Sequence, residues 1–331
     1  MNSPSQAHGE SSRRQCASAV LMIRPAAFGY DPQTAASNAF QHRPDADAET
    51  VRRSASREFD RLVTALESAG VCVCVAEDVP VPPKPDAVFP NNWVSFHADG
   101  TVVLYPMCAP RRRERRRELL DQVAERLGFR VRRVLDLTRH EAGGRFLEGT
   151  GSLVLDHRER IAYACRSPRT DVDVLREWCR EMGYEAVVFD ASDRRGAPLY
   201  HTNVMLSIGA RLTVVGTESI APRDRESVHE RLAASGRELI EIGLDAVGGF
   251  AGNVLELAAG GAPRSSGGPR SGGEALGHAR VLVMSEAAQR CFGPHDRARL
   301  EACTDAVLAV PVPTIERVGG GSVRCMLAEV F

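Results

Sequence analysis

Lysine is all but missing from this chain. Lys84 is the only one, so the remaining positive charge among 42 basic residues is arginine, which we read as a codon bias. An excess of charge of either sign is also missing. Against 43 acidic residues the formal net charge is −1, which excludes a globally basic nucleic-acid or membrane-surface binder. No apolar run approaches the roughly 18 residues of a membrane span, and the opening MNSPSQAHGESSRRQCAS has no apolar signal segment. A soluble, cytoplasmic protein is expected, without nucleic-acid or membrane partners. The nine cysteines are odd in number and show no C-x-x-C spacing, so neither a disulfide framework nor a zinc site is suggested. There is no H-E-x-x-H, and the glycine runs GTGS and GGGS lack the lysine and spacing of a phosphate loop. No metal and no cofactor is expected.

The chain is long enough, at 331 residues, for a well-buried core. Residues 1–17 are polar and charged and read as a disordered tail; residues 18–331 read as one domain. Within it, 259–278 is a Gly/Ser/Pro/Arg-rich inserted surface loop. It is flanked by NVLEL and ARVLVMS, the arms of an elongated hairpin. The cluster RRRERRRE at 111–118 has no interleaved aromatics and reads as a solvated helix start.

Helical patterns are expected at 50–69, 113–127, 171–182, 223–235 and 285–303, each ahead of a short apolar run. Gly70, Gly128, Gly183 and Gly236 fall where the first four should stop. A second apolar strand follows each helix–strand unit, and a small or polar residue stands directly before it: Asn92, Gly151, Asn203, Asn253 and Cys325. Their spacings are 59, 52, 50 and 72, the last near 52 without the inserted loop. A period of about fifty is the mark of a repeat array. Five α/β units, each with strands and one helix, are expected to close into a propeller-like ring that gathers these residues at one hub.

The residue types gathered there suit covalent chemistry. Cys325 follows the glycine-rich GGGSVR, which lets a substrate approach. His201 stands two residues before Asn203 and suits alternating acid and base roles; Cys with His is a known nucleophilic pairing. Glu148, in FLEGTGS, orients the histidine or binds a cationic group. Asp86, Asn91 and Asn92 lie in PDAVFPNNW, where the asparagines cap turns or offer amide donors and acceptors. Arg24 and Arg324 either clamp a substrate carboxylate or form structural ion pairs.

The segments LMIRPAAFGYDPQTA, PDAVFPNNWVSFH, FLEGTGSLVLD, YHTNVMLSIG, GFAGNVLEL and GGGSVRCMLAEVF together resemble the arginine deiminase/amidinotransferase superfamily. They are most similar to bacterial citrulline-utilization hydrolases and dimethylarginine dimethylaminohydrolase-like proteins. The resemblance covers about 18–331 and implies the pentein fold, a five-bladed α/β propeller of ββαβ-type units. It implies Cys325 as nucleophile, His201 as acid/base and Glu148 as the carboxylate that orients it, with Asp86 and Asn92 at the guanidinium grip. Relatives acting on guanidinium carry an acidic pair in place of Asn91 and Asn92, and an aspartate in place of Asn203. Amides match a neutral ureido group better, so citrulline is the expected substrate. A methylarginine hydrolase, an arginine deiminase, an amidinotransferase and a non-catalytic binding propeller are the alternatives. The expected partner is a small amino acid; a homodimer is one expectation for assembly.

Overall fold

The computed structural model describes residues 14–110, 118–260 and 279–331. Most of the arginine cluster, residues 1–13 of the expected tail and nearly all of the expected insertion lie outside them. The described residues form fifteen strands: β1 (Ala19–Arg24), β2 (Cys72–Glu77), β3 (Val94–Phe96), β4 (Thr101–Leu104), β5 (Arg133–Asp136), β6 (Val154–Asp156), β7 (Ile161–Cys165), β8 (Glu185–Phe189), β9 (Leu206–Ile208), β10 (Leu212–Val215), β11 (Glu238–Glu241), β12 (Leu255–Ala259), β13 (Ala279–Ser285), β14 (Ala306–Val310) and β15 (Ala328–Val330).

One pattern organises them. In β3-β4-β5, β6-β7-β8, β9-β10-β11 and β12-β13-β14 the first pair is antiparallel and the second parallel. The fifth set, β15-β1-β2, has the same arrangement but joins the two ends of the chain. A parallel pair requires a crossover. Helices supply it at Ala48–Ser68, Glu118–Leu127, Val172–Met182, Pro222–Ala233 and Pro294–Cys303. The sheets stay open and are mixed, and a single pairing of Val330 with Phe96 joins two units into a six-stranded sheet. Middle strands β4, β7 and β10 are buried throughout, as strands covered on both faces should be.

The four glycines expected at helix ends all adopt left-handed φ, between 65° and 81°. The expected hairpin exists, with Ala259 opposite Ala279. The helix expected over 285–303 is broken into Glu286–Cys291 and Pro294–Cys303. Pro294 is the reason, because its ring disfavours a helical residue before it and it has no N–H to continue the ladder. Gln15, Cys16 and Ala17, which sequence reading places in the tail, are buried. Gln15 Nε2 donates to the Leu155 and Ile208 carbonyls (2.9 and 3.0 Å), and its Oε1 accepts from the His157 N–H (2.9 Å). Among the described residues no helix is long and apolar enough to cross a membrane.

Two histidines in this framework carry a pH dependence. Burial pulls His97 down to about 4 and His157 down to about 3. His97 Nε2 lies 2.8 Å from Ser95 Oγ, and His157 Nδ1 lies 2.8 Å from Tyr184 Oη. An unfolded histidine takes up its proton near pH 6.5. Between that pH and about 4 the unfolded chain therefore binds more protons than the native one, and stability falls as pH falls. The slope is at most about 1.4 kcal/mol per pH unit per histidine. Denaturant unfolding followed over this range should show the decline, and His97→Gln should flatten it.

Candidate active site

Each unit's first strand is preceded by a tight turn, and the five turns carry the chemistry. They are Pro90–Asn92 before β3, Gly149–Ser152 before β6, Thr202–Val204 before β9, the turn at Asn253 before β12, and Val323–Met326 before β15. All five close with an i+3→i backbone bond: Trp93 to Pro90, Gly151 to Glu148, Met205 to Thr202, Asn253 to Phe250 and Cys325 to Ser322. Asn92, Gly151, Asn203, Asn253 and Cys325 all sit in these turns and all are buried. The recurrence read from sequence thus corresponds to one structural position repeated five times.

These turns meet. Asn253 Nδ2 lies 3.4 Å and Asn203 Nδ2 3.6 Å from Cys325 Sγ, and Asn253 Nδ2 also donates to the Asn203 carbonyl at 2.9 Å. Asn253 Oδ1 accepts the Arg324 N–H at 3.1 Å. Gly151 occupies the closest approach: a methyl there would lie 2.5 Å from Asn92 Nδ2 and 2.6 Å from His201 Nδ1. Only a residue without a side chain fits.

On the other side of that glycine, His201 Nε2–H donates to Glu148 Oε2 at 2.9 Å. Both residues are almost completely buried. An ionised carboxylate is acceptor-only, so this bond puts the proton on Nε2 and turns Nδ1 toward Gly151. The Cys108 N–H donates to Glu148 Oε1 at 3.0 Å, and Arg169 Nη1 lies 3.4 Å from Oε2.

Arg169 was not found by sequence reasoning. Its guanidinium also holds Ser37 Oγ (3.0 Å) and the Thr34 carbonyl (2.9 Å) and lies over the Tyr200 ring at 5.0 Å. Nothing local marks it, since arginine is so abundant in this chain. Tyr200, whose hydroxyl donates to the Gly320 carbonyl at 2.5 Å, was missed as well; its position beside His201 was the available signal.

Other expected residues are placed differently. Asn91 is fully buried; its Oδ1 accepts from Asn92 Nδ2 at 3.0 Å, and its Nδ2 has no hydrogen-bond partner among the described residues. Asp86 is buried five residues earlier, its carbonyl accepting from the Phe89 N–H. Of the two roles expected for the arginines, the structure shows the ion pairs. Arg24 pairs with Asp60 and with Glu77 (2.9 Å) and lies over the Phe59 ring in a partly exposed ion-pair cluster. Arg324 turns its guanidinium to the Leu327 carbonyl (3.0 Å) and Glu329 Oε2 (2.8 Å) beneath the nucleophile turn. Burial raises the Glu329 carboxyl, and Arg324 opposes that rise. The glycine run before Cys325 is filled as well: methyl groups at Gly319 and Gly321 would meet the Phe89 ring at 2.9 and 3.0 Å. The glycines there admit an aromatic wall.

Gly151→Ala should therefore force Asn92 and His201 apart at a cost of about 1–3 kcal/mol. Gly248→Ala, where a methyl meets nothing within 4 Å, is the control. Thermal unfolding of the two variants should separate them, with only the first lowered by several degrees.

A family model for N,N dimethylarginine dimethylhydrolase, eukaryotic, matches residues 24–331. Comparison with curated proteins gives no match. Among solved structures, the chain is similar to the substrate-bound N-terminal domain of ArgZ, an arginine dihydrolase from the ornithine-ammonia cycle in cyanobacteria. The TM-score is 0.69 at 15% identity, over 94% of this chain and 97% of that one. AgrE in complex with L-arginine gives 0.70 at 16% identity, over 95% of this chain but only 40% of that one. A dimethylarginine dimethylaminohydrolase adduct with 4-chloro-2-hydroxymethylpyridine gives 0.61 at 15%, over 95% and 99%. At these identities the structural likeness carries the fold.

Proposed function

The chain belongs to the N,N dimethylarginine dimethylhydrolase family, within the arginine deiminase/amidinotransferase-like (pentein) superfamily, and from that premise we propose that it hydrolyses citrulline to ornithine, ammonia and carbon dioxide. Its class is that of hydrolases acting on guanidino or amidino C–N bonds. In our reading the five ββαβ units are the blades of a closed propeller with Cys325 at the hub. The substrate is a free cytoplasmic amino acid and the enzyme a homodimer.

In the proposed reaction the Cys325 thiol gives its proton to His201 Nδ1, and the resulting thiolate adds to the ureido carbon. His201 protonates the side-chain nitrogen, the C–N bond breaks and ornithine leaves. The resulting S-carbamoyl enzyme is attacked by a water whose proton passes to His201. Carbamic acid is released, and it decomposes to ammonia and carbon dioxide. Glu148 accepts the Nε2–H of His201 and so keeps Nδ1 as the working nitrogen.

The observation that carries citrulline is Asn91. A buried N–H without an acceptor costs about 1–3 kcal/mol, and Asn91 Nδ2 is such a donor one residue from Asn92. A ureido oxygen supplies an acceptor; a guanidinium has donors only. Glu148, moreover, already faces Arg169 as well as His201, which weakens its pull on a cation. Arginine or a methylated arginine is the second reading, favoured by the family description and by the arginine bound to AgrE. A non-catalytic propeller is disfavoured, because it gives no reason for a histidine–glutamate pair beside a buried thiol.

Incubation with citrulline, arginine and methylarginines, with assay of ornithine, citrulline and ammonia, tests this directly. Ornithine should form from citrulline. Citrulline accumulating as a product, and not consumed, would establish the second reading. Cys325→Ser should abolish turnover with the fold intact. Asn91→Asp should lower kcat/KM for citrulline about 10- to 100-fold and raise it for arginine.

A further inference from the structure

We propose that Asn203 and Asn253 are catalytic residues that act on the nucleophile: their Nδ2–H groups hold the Cys325 sulfur as a thiolate. The proposal rests on Cys325 being the attacking group, and it gives two of the asparagines expected at the hub a role on the sulfur.

Cys325 is buried, and taking a thiolate out of water is unfavourable unless something compensates. Among the described residues the only side chains hydrogen-bonding its sulfur are Asn203 and Asn253. Both are buried to 1% exposure or less, so water does not compete for their amides. The orientation of Asn253 is fixed by its other partners. Its Oδ1 accepts the Arg324 N–H and its Nδ2 donates to the Asn203 carbonyl. Flipping the amide would set donor against donor and acceptor against acceptor. The same Nδ2 is thereby aimed at Sγ, at 3.4 Å, and the Asn203 amide follows at 3.6 Å.

The charged groups around the sulfur do not replace these donors. Glu148 is matched by Arg169 and His201 beyond Gly151, and Glu329 is matched by Arg324 below. Glu316 accepts from Ser322 Oγ. Among the described residues no cationic side chain hydrogen-bonds the sulfur, so its stabilisation falls to neutral dipoles. The contrast with other buried cysteines is direct: burial pushes Cys165 up to about 11 and Cys179 up to about 12. The Cys165 sulfur accepts from the Thr202 hydroxyl at 3.5 Å, and among the described residues neither sulfur has a side-chain amide on it.

The test is the pH dependence of Cys325 alkylation by iodoacetamide, with the site of labelling read by peptide mass. In the wild-type protein the midpoint should fall at or below the ordinary thiol value of about 8.5 despite burial. Asn253→Ala and Asn203→Ala should each raise it by about one unit, roughly tenfold slower labelling below the midpoint. The isosteric Asn253→Asp should raise it further, because it keeps the shape and removes the donor. Equal midpoints in all variants would overturn the proposal, as would an aspartate variant that behaves like wild type. If the variants do not fold, the wild-type midpoint decides, and a value well above 8.5 overturns it. Failure of the underlying reading looks different: Cys325→Ser would then keep its turnover whatever the alkylation profile.

Discussion

A carboxylate with no exposed surface needs partners for its charge, and the site is built around meeting that need at Glu148. Its two oxygens take the His201 imidazole, the Arg169 guanidinium and the Cys108 main chain, from separate parts of the chain. Arg169 extends the network to Thr34 and Ser37, so the segment after β1 is tied to the same anion. The histidine is consequently fixed in tautomer and direction. That arrangement separates the His201 imidazole from those at 97 and 157, which burial keeps neutral and whose partners are hydroxyls.

Close approach of backbone is the second condition. The turns ahead of β3, β6 and β9 meet within a side chain's thickness at Gly151, so Asn92 and His201 face one another across a residue that has no side chain. Ahead of Cys325, Gly319 and Gly321 make room for Phe89. Glycine serves packing in both places. An apolar wall and a row of amides then surround the thiol, and the surroundings are polar without carrying much unmatched charge.

A large part of this was legible in the sequence. The period near fifty, the glycines that end helices, and the small or polar residue before each second strand are local signals, and they located five turns correctly. They did so because each turn obeys the same short-range geometry, an i+3→i closure directly ahead of an apolar strand. The break at Pro294 was also available, since the rule against a helical residue before proline is local. The buried stretch at 15–17 was not, because its polarity suggests a tail. Only the backbone groups of β6 and β9, far away in sequence, give the Gln15 amide its partners.

The residues themselves determined the α/β class, the number of units and the turns at which cysteine, histidine and glutamate stand, since periodicity and residue type are properties of short segments. Which arginine serves the site was decided by the tertiary structure alone. Arg24, Arg324 and Arg169 look alike in a chain full of arginine. The first meets carboxylates near the surface, the second Glu329, and only the third Glu148. Long-range pairing sets the partner of a charge, and no window of sequence contains both members.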